Sequence, residues 1–195
     1  MKGRFITFEG IDGSGKTTIA KLLYKKIGKN VVLTAEPTKT WLGDAVNKAL
    51  ENKMDAITVA LLFMADRNEH VKKIKKWIEE GKIVICDRYI DSTFAYQSIH
   101  LEMKNPEKWI YKVHEPFLFK PHLTFLLKIH PEKAMERINS RKRILYEKTK
   151  FLEEVQKKYI EMAEKESRFV IINAEKSREK ILDECFNILK KKKII

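Results

Sequence analysis

Gly10-Ile11-Asp12-Gly13-Ser14-Gly15-Lys16-Thr17 sets three glycines, a lysine and a hydroxyl at fixed spacing. The run fits the phosphate-binding pattern GxxxxGK[ST] without a mismatch. Glycines let a backbone curl so that several N–H groups converge on one anion. A helix starting at Lys16 would add the partial positive charge of its N-terminus. In that pattern the lysine reaches the β- and γ-phosphates and the Thr17 hydroxyl ligates Mg2+, while Thr18 opens the helix behind them. The chemistry implied is the binding of a nucleoside triphosphate such as ATP with its magnesium ion.

Other residues suit the same chemistry. Asp87 ends the apolar run Ile83-Val84-Ile85-Cys86, an arrangement in which a strand-end carboxylate holds Mg2+ directly or through water. Arg88 follows it, and a guanidinium fork in a nucleotide crevice is suited to a second phosphate. Phe63 and Arg67 lie four residues apart in an apolar helix and therefore share a face. An aromatic ring beside a guanidinium is a pair that can stack on a base and hydrogen-bond its edge. Arg141, Lys142 and Arg143 cluster after a helix, where a basic lid at about 139–150 would neutralise a transferring phosphoryl group and exclude water.

These residues need a scaffold. Short apolar runs at 3–9, 30–35, 82–87, 122–129 and 168–173 lack the alternation of half-exposed strands. They read as strands buried on both faces. Helical segments are expected at 16–28, 41–52, 55–80, 91–103, 106–119, 131–141, 149–166 and 177–192. Gly28 and Gly81 stand where helices stop, Asp55 and Ser177 suit N-caps, and Pro106 and Pro131 suit first turns. The fold class expected is α/β: one domain over 1–195, a five-stranded parallel sheet with helices on both faces and a short helical lid. Ligands of such sheets bind beyond the carboxyl ends of the strands. Those ends carry the glycine loop, Glu36-Pro37, Asp87-Arg88-Tyr89 and Asn173-Ala174.

The bulk properties narrow the class. The 195 residues are 44% hydrophobic and 34% charged, enough for one sizeable core. No apolar run approaches a membrane span, so no membrane partner is expected. Met1-Lys2-Gly3 leads straight into the first strand, and Cys86 and Cys185 stand far apart, which together fit a cytoplasmic protein. The net charge of +13 is spread over lysines along the whole chain. Solvated faces explain it better than a nucleic-acid surface, and nucleic acid is not an expected partner.

At this point the motifs match a known family. Phe8-Glu9-Gly10 to Thr18, Glu36-Pro37, Leu62-Phe63 with Asp66-Arg67, and Asp87-Arg88-Tyr89 with Ser92, Ala95, Tyr96 and Gln97 follow one another in the order found in thymidylate kinases. The chain resembles that family, a family of P-loop kinases, along nearly its whole length. The resemblance implies transfer of the ATP γ-phosphate to dTMP, with Mg2+, giving dTDP and ADP on the way to dTTP. It implies that Gly10 to Thr18, with Ala174, hold ATP, and that Thr17, Asp87 and Asp12 serve the metal. Lys16, Arg88, Arg141 and Arg143 become the catalytic charges. Phe63 would stack on thymine, Arg67 would bond its carbonyl edge, and Arg88 would grip the dTMP phosphate. Asp12 would face the sugar 3′-hydroxyl, Ser92, Thr93 and Gln97 would line the base pocket, and Tyr96 would crowd the 2′ position. Glu36 joins this substrate-binding set. Gly13 leaves the loop without the basic residue that some members carry there, which assigns the catalytic arginine to the lid. The family implies a homodimer packed through apolar helices such as the one from Ile57 to Ala65.

Two other readings use different residues. Asn52-Lys53-Met54-Asp55 matches the guanine-reading NKxD pattern of GTP-binding switch proteins, but it follows a helix rather than a strand, and no DxxG follows. A P-loop kinase acting on another nucleotide or deoxynucleoside is the nearer alternative.

Overall fold

The computed structural model describes residues 3–138 and 142–195, with side chains described for all of these except 142–148. Five parallel strands form one sheet: β1 (Arg4–Glu9), β2 (Val31–Ala35), β3 (Ile83–Asp87), β4 (Leu123–Lys128) and β5 (Phe169–Asn173). Their spatial order is β2-β3-β1-β4-β5, so the chain winds to one side and then to the other from a central β1. Each expected strand is present, shifted by about a residue at its start. The register sets Phe8 beside Asp87 and Ala35 beside Asp87, which brings three strand ends level.

Helices cover both faces because successive strand residues point to opposite sides. Ile6, Phe8 and Ile85 pack with Ile19 and Leu23 of α1 (Lys16–Ile27). Phe5, Val84 and Cys86 pack with Val71 and Ile74 of α3 (Ala56–Glu79), which follows α2 (Trp41–Glu51). The caps are as the sequence indicates. Asp55 accepts the Thr58 N–H at 2.9 Å, Ser177 accepts that of Lys180 at 3.4 Å, and Gly28 and Gly81 have φ of 81° and 78°.

The helical segment 90–100, α4, is interrupted by a π-helical stretch at Thr93–Gln97. It is shorter than the expected 91–103, because Leu101 turns to an extended backbone and buries itself with Ala60, Met64 and Ile110. α5 (Pro106–His114) also stops before the expected 119, ahead of Pro116. α6 (Pro131–Ile138) is followed by α7 (Lys142–Lys165), which begins earlier than the expected 149, and α8 (Arg178–Lys191) closes the chain. Most of the supposed lid at 139–150 is therefore the opening of a long helix, while residues 139–141 lie outside the described residues. No helix among the described residues is long and apolar enough to cross a membrane.

A buried polar seam ties α4 to the sheet. The Arg168 guanidinium grips both Asp91 carboxylate oxygens at 2.8 and 2.7 Å and donates to Thr124 Oγ1 at 2.6 Å. Thr124 Oγ1 in turn lies 2.7 Å from Thr7 Oγ1. Removing Asp91 takes two hydrogen bonds from the Arg168 guanidinium and leaves Glu166, 2.7 Å from its Nε, as the remaining counter-charge. Asp91→Ala is expected to lower stability by about 1–3 kcal/mol in urea unfolding, the scale of lost hydrogen bonds between charged groups.

Candidate active site

The glycine loop follows from the strand before it and the helix after it. β1 ends at Glu9, and Gly10, Gly13 and Gly15 then take positive φ of 137°, 80° and 92° to turn the chain into α1. Gly13 is also a packing requirement. A Cβ there would stand 2.3 Å from the Ala134 carbonyl oxygen of α6. The loop and α6 thus touch backbone to backbone. Lys16 is almost fully buried and folds into the loop, donating to the carbonyls of Gly10 at 2.9 Å and Ile11 at 2.7 Å. Burial, then the charge of Arg88, push its ammonium down to about 7, against the pull of Asp12, Asp87 and Glu9.

A cavity of about 710 Å3 opens over this loop, lined by Asp12 to Ile19, Arg88, Arg137 and Ala174 to Ile181 in part. Of the residues expected to hold ATP, Asp12 to Thr18 and Ala174 line it, whereas Gly10 and Ile11 do not. Arg137, Lys176 and Arg178 line it too, and the sequence reading missed all three. Arg137 donates to the carbonyls of Ala174 at 3.1 Å and Gly13 at 3.4 Å, so one guanidinium spans the mouth from β5 to the loop. Its signal was present: it stands one helical turn before Arg141, where basic charge was sought. Arg141 lies outside the described residues, and so does the side chain of Arg143, whose backbone belongs to α7.

The residues present fit a magnesium ion held with a nucleotide. The Thr17 hydroxyl donates to Asp87 Oδ2, bringing the two expected ligands together. Asp87 Oδ1 is buried without a hydrogen-bond partner among the described residues, a costly state that a cation or its water would relieve. Among the described residues no group of three or more His, Cys, Asp or Glu side chains is gathered for a metal. Mg2+ bound with phosphates needs only one or two protein ligands. The Asp12 carboxylate holds Arg88.

Arg88 links the loop to a second recess. It pairs with Asp12, donates to Ser92 Oγ at 3.2 Å and lies over the Tyr96 ring at 5.1 Å. The Tyr96 hydroxyl accepts the Asp12 N–H at 3.0 Å. Arg88 has φ of 66°, a left-handed backbone that costs an ordinary residue about 1–2 kcal/mol. Asp12, Tyr96 and Gln97 also line a cavity of about 530 Å3 with Val59, His100 and Phe151. Asp12 lines both cavities, which therefore adjoin at this residue.

Arg67 is held from three sides. Its Nε donates to Glu36 Oε2 at 2.8 Å, and Nη2 approaches the same oxygen at 2.6 Å. Nη1 lies 2.9 Å from Thr93 Oγ1 and 2.8 Å from His114 Nε2. Nη2 keeps at least one N–H without a partner among the described residues. Glu36 also binds His70 Nδ1 at 2.9 Å, so its carboxylate is engaged in placing side chains. Burial works to raise the Glu36 carboxyl, but Arg67 and His70 together hold it below its ordinary value. Ser92 and Thr93 likewise serve Arg88 and Arg67 through their hydroxyls. Phe63, one turn before Arg67, is half-buried and outside the apolar clusters, so its ring is not consumed by core packing.

Known proteins resemble this chain in sequence and in fold. The family model described as Thymidylate kinase matches residues 8–185. The chain belongs to the thymidylate kinase family. A "Probable thymidylate kinase" of Methanococcoides burtonii is 44% identical over 187 residues, covering 93% of each chain. One of Sulfolobus acidocaldarius is 41% identical over 194 residues, covering 94% of this chain and 95% of its own. The crystal structure of thymidylate kinase from Ehrlichia chaffeensis superposes with a TM-score of 0.79 at 32% identity, covering 97% of this chain and all of the other. As a member of this family the chain is a nucleoside monophosphate kinase. The Asn52–Asp55 match to a guanine-reading motif has a structural explanation: Asn52 Nδ2 donates to Lys48 O at 2.7 Å and Asp55 caps α3, so the segment is a helix-to-helix turn.

His114 was not found from sequence, and it gives a test. Its Nδ1 faces the Ile110 carbonyl at 2.7 Å, which makes Nδ1 the protonated nitrogen and Nε2 the acceptor for Arg67. Burial, then the charge of Arg67, lower its pKa from 6.5 to about 4. A folded-state value below the unfolded one means that the unfolded chain takes up the proton first as pH falls. The stability His114 contributes is complete above 6.5 and fades toward 4. His114→Gln should remove about 3 kcal/mol of acid sensitivity over that window, read as the wild-type minus variant difference in urea unfolding against pH.

Proposed function

We propose a division of labour among these residues for the reaction that family membership assigns to the chain: transfer of the γ-phosphate of ATP to dTMP, giving dTDP and ADP. The observation that carries it is the meeting of the two cavities at Asp12, with Arg88 at the junction. ATP lies in the larger cavity, its phosphates wrapped by Gly10 to Thr18 and its other end beside Arg137 and Ala174. The dTMP phosphate displaces Asp12 from part of the Arg88 guanidinium. The dTMP sugar rests against Tyr96 and Asp12, and thymine lies on Phe63 with the spare Arg67 N–H at its carbonyl edge. Thr17 and Asp87 hold Mg2+, which when bound neutralises charge on the transferring group.

The acceptor is a phosphate oxygen already ionised at neutral pH, and no side chain has to remove a proton from it. Catalysis is then positioning plus charge neutralisation. Lys16 leaves the loop carbonyls for the phosphate oxygens, which are stronger acceptors. Arg88 brings the acceptor to the junction. Arg141 and Arg143 supply further charge, and Arg137 adds to it from α6.

The chain assembles as a homodimer through α2 and α3. Ile57 and Leu61 lie four residues apart on α3 with 47% and 45% exposure, and Leu50 and Met54 stand exposed in the preceding segment. Such a row of apolar side chains marks an interface.

A coupled ATP–Mg2+ assay against dTMP, dUMP, dCMP, AMP, GMP and thymidine is expected to rank dTMP among the best acceptors, and a different preference would overturn the reading. Lys16→Ala should lower kcat by about a hundredfold or more while the dTMP KM changes little. Phe63→Ala should weaken dTMP by about 1–3 kcal/mol, through lost stacking on the base. Sedimentation should show a dimer that Ile57→Asp with Leu61→Asp converts to monomer.

A further inference from the structure

Glu9 is the last residue of β1, fully buried, and outside the phosphate-binding pattern. Its carboxylate accepts hydrogen bonds from three separate places. The Tyr89 N–H reaches Oε1 at 2.8 Å, while the Ser92 and Tyr159 hydroxyls reach Oε2 at 2.7 and 2.8 Å. Ser92 Oγ is also the atom to which Arg88 Nη1 donates, at 3.2 Å, and it lies 2.9 Å from the Tyr159 hydroxyl.

The direction of these bonds matters. An ionised carboxylate only accepts, and each hydroxyl has a single proton to give. When Glu9 is ionised, both protons therefore point at it. The lone pairs of Ser92 are left facing Arg88, which only donates. The Tyr89 N–H bond acts on the backbone immediately after Arg88, the residue held at φ of 66°. A strained backbone persists only where its surroundings over-determine it. Tyr159 belongs to α7, the helix that starts at Lys142. Arg88 and the helix carrying Arg143 thus share one anchor.

We propose that Glu9 is a positioning residue for the acceptor phosphate: it sets the Arg88 side chain through Ser92, sets its backbone through the Tyr89 N–H, and fastens α7 to the same point through Tyr159. The proposal rests on the reading of Arg88 as the residue that grips the dTMP phosphate.

Glu9→Gln tests it with almost no change of shape. The amide oxygen can still take the Tyr89 N–H, but the amide NH2 must donate toward Ser92 and Tyr159. Both hydroxyls then turn from donating to accepting, and the Ser92 proton leaves Glu9 for another neighbour, which reorients the lone pairs that receive Arg88. The KM for dTMP should rise about tenfold or more, the scale of one lost hydrogen bond to a charged group. The KM for ATP should stay within about twofold, since the loop contacts are untouched. Ser92→Ala should raise the dTMP KM by itself. In that background Glu9→Gln should add less than about twofold, because the route through Ser92 is already gone. Multiplying effects in this cycle would overturn the proposal, and so would a Ser92→Ala enzyme with unchanged dTMP KM, whatever Glu9→Gln does to folding. Arg88→Met separates the two layers. If it leaves the dTMP KM unchanged, the reading of Arg88 fails and the proposal with it. If it raises that KM while Glu9→Gln does not, only the positioning role fails.

Discussion

Glu36, Asp87 and Glu9 stand at the carboxyl ends of β2, β3 and β1, which are neighbours in the sheet. A carboxylate in so dry a place has to be paired or to lose its charge. Each finds a different answer. Glu36 takes Arg67 and His70. Asp87 takes the Thr17 hydroxyl with one oxygen and leaves the other buried and unpartnered among the described residues. Glu9 takes a backbone N–H and two hydroxyls, and its carboxyl still rises to about 7, through burial first and the charge of Asp91 second. The groups that answer these carboxylates are the ones to which we assign the nucleotide contacts: Arg67 directly, Arg88 through Ser92, Thr17 beside the triphosphate. Binding chemistry is thus laid over a layer whose first task is to make buried charge tolerable.

The same layering accounts for what the sequence revealed. Strands of a parallel sheet buried on both faces read as unbroken apolar runs, and all five were legible to about a residue. The glycine loop was legible because its function demands glycine at fixed spacing. Caps were legible because Asp55 and Ser177 act on backbone only a few residues away. Pairings across the fold have no such local trace. His114 stands 47 residues from the Arg67 it supports, and Tyr159 stands 150 from Glu9. The apolar helix around Phe63 pointed to a base-recognition pair. It gave no sign that Glu36, Thr93 and His114 would fix Arg67 in place. Glu36 was expected at the substrate, and its position at a strand end carried no sign that Arg67 and His70 would occupy both its oxygens.

Lys16 shows how the loop is kept in shape. With its ammonium bound to the Gly10 and Ile11 carbonyls, the lysine closes the loop on itself. Its lowered pKa follows from the same burial. The loop needs no separate device to stay curled, since its most important side chain holds it in that form.

The contact between Gly13 and Ala134 has a consequence for how this kinase could have changed over time. Kinases that place a basic side chain within the loop need room for it, and here that room is filled by the main chain of α6. The two solutions exclude each other sterically, so no single substitution leads from one to the other. Grafting a loop arginine into this chain would first require α6 to shift, and with it the Arg137 guanidinium that bridges the nucleotide cavity. A lineage that packs its loop this tightly has closed position 13 to every side chain, basic or not.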